Sequence, residues 1–350
     1  MKTRKKLIFR MAAAIVAISS ILIFVPWDMA GAYFKPLPET VSEQVGNAID
    51  LGLDGIVVYI EKNGHEPKFY SSGWKNREDK IPSDPKALFK IASISKLYIA
   101  AAVTKLVNSQ VLSLDHTLEY YLPSIAGRIE NADQITLRML LQHRSGIPNF
   151  TDDSEFPWFD PYTNTAEILE LILDDPADFK PDRRYRYSNT NYLLIGNIID
   201  DTLGYSHRQY IKNEILAPLN LNRTFGSLSE VNLEELTSGY YTEYDGDIKT
   251  LNFVSPSGSM VSTVEDVGIF LRALNTGSLF NDAEQAIYTS IYVYEHTGLL
   301  PGYSSIARYY KDIDTVVIQF VNTNGGNSWT MTEIVYSRIV RILRKLERPI

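Results

Sequence analysis

The chain has 350 residues, 34 Lys and Arg against 42 Asp and Glu, 45% hydrophobic residues and no cysteine. That is enough chain for a large core or two interleaved domains, and the missing cysteine excludes disulfides, thiol nucleophiles and thiolate metal sites. Residues 1–32 hold five of the basic residues and one acid, so the remainder carries 29 against 41, a poor balance for a nucleic-acid binder.

In chain order, Lys2, Arg4, Lys5, Lys6 and Arg10 precede an uncharged, mostly apolar run from Met11 to Trp27. Ala30-Gly31-Ala32 follows with the small-x-small form of a cleavage site. The expectation is a signal peptide or membrane anchor over 1–32, with the globular part outside the cytoplasm and membrane contact through this segment alone. Thr40 to Leu53 reads as an amphipathic helix ended by Gly52, and Gly55 to Ile60 as a buried strand. Asn63-Gly64 is a hairpin turn leading to a partner strand over Lys68 to Ser72. Helical patterns then dominate to about Phe253, including Thr136 to His143, Thr165 to Leu173 and Tyr192 to Leu203. Strand-like runs return at Tyr303 to Tyr310 and Thr315 to Phe320, before a last helix from Thr330 to Leu346. The basic turn Arg341, Arg344, Lys345 and Arg348 suits a helix end. Sheet at both ends with helices between predicts an α+β chain: a discontinuous domain of 33–92 plus 256–350, and a mostly helical domain inserted as 93–255.

The chemistry centres on Phe89 to Val103. Ser93 and Lys96 are three residues apart at the start of an Ala- and Leu-rich run, so a hydroxyl and an amine share one helix face. Serine needs a base within hydrogen-bond reach, and an amine desolvated beside Leu97 and Ile99 can serve. The spacing alone is weak, since Ser72 and Lys75 repeat it at a hairpin edge. Three other segments join it. Phe179 to Asn189 is a polar loop holding Tyr187 and Asn189; a phenol beside cations can have its pKa lowered and shuttle protons, and Asn can orient an amide. Tyr294 to Ser305 carries His296, Thr297 and Gly298 on an edge strand, where glycine permits close approach of a ligand backbone. Ser255 to Asp266 is a Gly/Ser loop followed by a capping sequence (Ser262 or Thr263 before Glu265), read as structural.

In this order, Ser93-Ile94-Ser95-Lys96, Tyr187-Ser188-Asn189 and His296-Thr297-Gly298 resemble the motifs of the penicillin-binding protein and serine β-lactamase superfamily. The likeness is to its class C β-lactamase and D-alanyl-D-alanine carboxypeptidase branch and covers roughly Val45 to Asn322. His143-Arg144-Ser145-Gly146-Ile147-Pro148 and Gly258 to Thr263 add to it. The resemblance implies a β-lactamase/DD-peptidase-like fold, an antiparallel sheet flanked by helices with the helical insertion. It implies that Ser93 is acylated, Lys96 and Tyr187 move its proton, and Asn189 holds the substrate amide. The backbone N–H groups of Ser93 and Leu299 would form the oxyanion hole, and His296 with Thr297 would contact the substrate's carboxylate end, beside Gly298. No metal or organic cofactor is required.

The expected activity is that of an extracytoplasmic serine hydrolase on D-alanyl peptides or related amides, with a small molecule, a cell-wall peptide or a β-lactam as partner. The third motif begins with His296 where class C β-lactamases usually have lysine; histidine there occurs in DD-peptidases, D-amino-acid peptidases and esterases of the branch. An imidazolium at 296, titrating near ~6.5, would attract a carboxylate. The alternatives are a carboxylesterase or β-lactamase on the same scaffold, and a catalytically silent binding or sensor domain. No Gly-x-Ser-x-Gly elbow occurs, and the five histidines (65, 116, 143, 207, 296) form no His-Glu-x-x-His zinc motif.

Overall fold

A computed structural model describes residues 27–347 and, before them, only Lys6, Arg10, Met11 and Ser19. The expected leader and Arg348 thus lie largely or wholly outside the described residues. The proposed cleavage triplet Ala30-Gly31-Ala32 falls within a helix, Trp27–Phe34, with Ala32 buried. Among the described residues no helix is long and apolar enough to cross a membrane.

The strands are β1 (Gly55–Lys62), β2 (Lys68–Asn76), β3 (Ile81–Pro82), β4 (Phe89–Lys90), β5 (Tyr240–Tyr241), β6 (Val261–Ser262), β7 (His296–Leu300), β8 (Tyr303–Tyr310), β9 (Thr315–Val321) and β10 (Thr323–Asn324). Six of them form one antiparallel sheet in the order β3-β2-β1-β9-β8-β7. The β1–β2 turn needs two residues at positive φ, and Asn63 (53°) and Gly64 (69°) supply them. The first strand pairs directly with β9, some 250 residues later, so the two ends of the chain close one sheet around the helical segment.

Alternation sorts the central strands onto two faces. Ile56, Val58 and Ile60 of β1 and Val317 and Val321 of β9 pack against the helices Val41–Gly46 and Ser328–Leu346. Tyr59, Ile318 and Phe320 point the other way, into the core shared with the helix Ser95–Asn108 and the helix Val264–Thr276. That second layer carries the serine. The helix Ser95–Asn108 is apolar nearly all round and buried accordingly, with Tyr98 stacked on Phe270 at 3.8 Å between centroids.

Several expected elements shift in detail. The first helix is short, Val41–Gly46, because Thr40 and Glu43 form a capping box that starts it and Asn47 ends it, with a separate turn over Ile49–Leu51. The helix after the Gly/Ser loop is capped by Thr263 accepting from the Asp266 N–H, with no box through Glu265. The Tyr192 helix begins earlier, at Asn189.

Candidate active site

Ser93 sits in a tight turn, Ala92–Ile94, that feeds the helix Ser95–Asn108. Ala92 before it takes a left-handed φ of 50°, an uncommon conformation for alanine that costs on the order of 1 kcal/mol or more. The turn is held from inside: the Ser95 hydroxyl donates to the Ala92 carbonyl at 2.6 Å and accepts from the Met260 N–H at 3.2 Å. The strain therefore sits where the serine must be presented.

Lys96 and Tyr187 converge on the Ser93 oxygen, and Asn189 on the amine beside it. Lys96 Nζ lies 3.0 Å from Ser93 Oγ, and the Tyr187 hydroxyl donates to the same oxygen at 2.9 Å. Lys96 also donates to Asn189 Oδ1 at 2.8 Å and to the Ser257 carbonyl at 2.7 Å. The amine is fully buried, and burial alone drives its pKa well below the usual lysine range. A neutral amine has two N–H bonds and one lone pair. In that form the Asn189 and Ser257 oxygens accept its two N–H bonds and the lone pair faces the Ser93 hydroxyl, 3.0 Å away.

Tyr187 behaves opposite to expectation. Its pKa is raised, chiefly by burial, although the hydrogen bond to Ser93 works the other way. Nearby cations are taken up by other partners: Arg186 of the loop pairs with Asp152 and Asp178, Arg144 of the His143 segment pairs with Asp182, and Arg184 covers Phe179. No arginine of that loop bonds the phenol, which keeps its proton and donates. One face of the ring is flanked by His143, 4.6 Å between centroids. His143 accepts from the Ser188 N–H at 3.2 Å through Nδ1, and its pKa is pushed down to about 3 by burial and then by Lys96 and His296.

This has a pH consequence. An unfolded histidine binds a proton near ~6.5, whereas His143 in the fold stays neutral until far lower pH. Between those values the unfolded chain binds more protons, so this group's stabilising effect is full above about 6.5 and lost as pH falls toward about 3. The urea midpoint should fall over that window, and His143→Gln should flatten part of the slope; an unaltered slope would show that His143 protonates freely.

The edge strand β7 passes directly over the serine turn. A Cβ on Gly298 would stand 2.3 Å from both the Ile91 carbonyl oxygen and Ser305 Oγ. Gly298→Ala should therefore push the strand off the turn, costing ~1–3 kcal/mol of stability and most of the activity, as measured by denaturation and turnover on one sample. Wild-type values for both would mean that the close approach is not needed. Leu299 follows on this edge strand and lines the same cleft as Ser93.

His296 also departs from expectation. Its pKa is pushed down to about 4, by burial first and by Lys96 second, so it is uncharged at neutral pH. Its Nδ1 is bonded to the Thr297 carbonyl and its Nε2 to the Tyr292 hydroxyl at 3.0 Å. The decoy pair Ser72 and Lys75 lies on β2, and Lys75 donates to the Glu234 carbonyl.

Reading the sequence missed four contributors. The Ser255 to Met260 loop, read as structural, supplies the carbonyl of Ser257 to Lys96 and an N–H to Ser95; its Gly/Ser richness was the available signal. Asn149 Oδ1 accepts from the Asn189 N–H at 2.8 Å, and Thr151 Oγ1 accepts from Asn189 Nδ2 at 3.0 Å. Tyr292 had no motif to mark it. The cleft beside Ser93 is walled by Phe150, Phe156, Trp158, Tyr162 and Phe253, aromatic residues scattered over a hundred positions.

An antiparallel sheet with a serine turn under its edge strand, backed by a lysine and a tyrosine, is the architecture of β-lactamases and penicillin-binding proteins. The chain belongs to the Beta-lactamase family, whose sequence model matches residues 32–290, a superfamily of serine hydrolases. It is similar to protein flp of Staphylococcus aureus, 26% identical over 227 residues, 63% of this chain and 45% of that one. It is similar also to penicillin-binding protein 4* of Bacillus subtilis, 27% identical over 165 residues, 44% of this chain and 34% of that one. The chain thus matches less than half the length of these relatives. In fold it resembles D-amino acid amidase from Ochrobactrum anthropi SV3 complexed with D-phenylalanine, with a TM-score of 0.79 and 22% identity over 91% of this chain and 100% of the amidase. A class C beta lactamase gives a TM-score of 0.70 at 16% identity, over 86% and 97%.

Proposed function

We propose that the chain is an extracytoplasmic serine hydrolase that forms an acyl-enzyme on D-alanyl peptides or related D-aminoacyl amides. One observation carries this reading: the Ser93 oxygen is held at 3.0 Å from a buried lysine amine and 2.9 Å from a tyrosine hydroxyl, at the floor of a cleft. The basic and apolar leader supports the location. The likeness in fold to D-amino acid amidase and to a D-stereospecific amidohydrolase from Streptomyces supports the choice of D-configured amides.

In the first step the Ser93 oxygen bonds to the substrate carbonyl carbon while its proton passes to Lys96. The carbonyl oxygen, now negative, faces the N–H groups of Ser93 and Leu299. The bond to the leaving group breaks, and the leaving atom takes the Tyr187 proton; the proton that Lys96 received from Ser93 restores the phenol, so that none is gained or lost. Water then repeats the sequence on the acyl-enzyme and returns serine and a free acid. Asn189, with Oδ1 on Lys96 and one Nδ2 hydrogen on Thr151, keeps its second amide hydrogen for the substrate. The aromatic wall suits an apolar acyl side chain, such as that of phenylalanine.

Quenched-flow mass spectrometry on a D-phenylalanine ester is the test. A transient adduct with the mass of the acyl group should map to the peptide containing Ser93. Turnover with no adduct at any quench time would exclude a covalent route.

A further inference from the structure

The leaving-group side of the cleft carries a further reading, which rests on the acyl-enzyme assignment. We propose that this site does not recognise a carboxylate on the leaving group, which narrows the class above to amides or esters whose departing half is uncharged and leaves out peptides that release a free D-alanine.

The first ground is the bonding of His296. Its Nδ1 lies against the Thr297 carbonyl, which only accepts, so Nδ1 must hold the ring proton. Nε2 then has the lone pair and accepts from the Tyr292 hydroxyl. The two rings lie 6.0 Å apart at an interplanar angle of 23°. A neutral imidazole has one donor and one acceptor, and both are used within the protein. Neither ring nitrogen is free to donate to a substrate.

The second ground is the absence of any other cation in reach. Among the described residues, those lining the cleft on both sides of Leu299 and Leu300 include no arginine and no lysine. Lys96 sits beneath the floor with its bonds filled internally. Arg308, on β8, lies over Tyr336 and pairs with Glu295. A leaving-group carboxylate on this side would exchange water for Leu299, Leu300 and Pro301, with no opposing charge. A carboxamide or an alkyl group loses far less on the same transfer. The groups facing His296 (Lys96, His143, Tyr187, Tyr292) include no carboxylate that would favour its protonated form.

The decisive measurement uses two esters of acetyl-D-phenylalanine, one with lactate and one with lactamide. They share the scissile bond and differ only in the terminal group. At pH 7.5 the lactamide ester should be hydrolysed as fast as the lactate ester or faster, in kcat/KM. A threefold or greater preference for the lactate ester overturns the inference. His296→Lys, which puts a permanent cation on that strand position, should move the ratio at least fivefold toward lactate; an unmoved ratio would mean that position 296 does not face the leaving group, and would also overturn it. A fluorophosphonate separates the two levels of the argument. Labelling of Ser93 with neither ester turned over sinks the substrate inference and leaves the nucleophile standing. No labelling of Ser93 takes both.

Discussion

Ser93→Ala is expected to abolish covalent labelling by a fluorophosphonate or a penicillin and to lower kcat/KM by about 10⁴-fold or more, the scale on which removal of a serine nucleophile acts. The size follows from the geometry: both the amine and the phenol are aimed at this oxygen, at 3.0 and 2.9 Å, and at no other carbon-bound hydroxyl in the cleft floor. Alanine keeps the backbone N–H of the turn, so substrate binding should survive. Ser72→Ala removes the other Ser-x-x-Lys serine and should leave labelling untouched, because Lys75 is committed to a backbone carbonyl. Undiminished labelling of the Ser93→Ala protein would falsify the assignment of the nucleophile.

Lys96 gives the second large effect. Lys96→Met should lower the acylation rate by about 10²–10⁴-fold, the usual contribution of a positioned base. Lys96→Arg should be no better, because guanidinium stays protonated and offers no lone pair to the serine. The wild-type rate should fall on the acid side, as the buried amine takes up a proton at a pH well below the usual lysine range. On the alkaline side it should hold, since deprotonated lysine is the working form and Tyr187, raised in pKa by burial, keeps its proton. Single-turnover acylation measured against pH resolves this. An Arg variant with more than a tenth of wild-type activity, or an acid limb absent in the wild type, would remove Lys96 from the role of base.

Several parts of this protein were legible without coordinates because they depend on residues close in sequence. The Ser93–Lys96 pair shares a face through the pitch of one helical turn. The Asn63-Gly64 hairpin follows from two positive φ values that few other residues adopt cheaply. The alternating and β-branched strands at both ends were readable for the same local reasons, whereas the packing of Gly298 on the Ile91 carbonyl was not. The three motifs in order carried the fold and the family.

Tertiary structure decided the rest, and mainly through burial. Whether Tyr187 is acidified depends on its burial, which raises its pKa, while the neighbouring Arg186 pairs with Asp152 and Asp178 instead of the phenol. Whether His296 is a cation or a neutral ring depends on Tyr292 and on the buried Lys96, neither of which its own strand reveals. The Ser257 carbonyl is a backbone atom, so no residue type marks it. Ionisation is set by solvent exclusion and by neighbours distant in sequence, and a linear chain of residues encodes these only through the fold. The sequence by itself marked Ser93, Lys96, Tyr187 and Asn189 as one set; the three-dimensional packing decided which other groups meet them and which are charged.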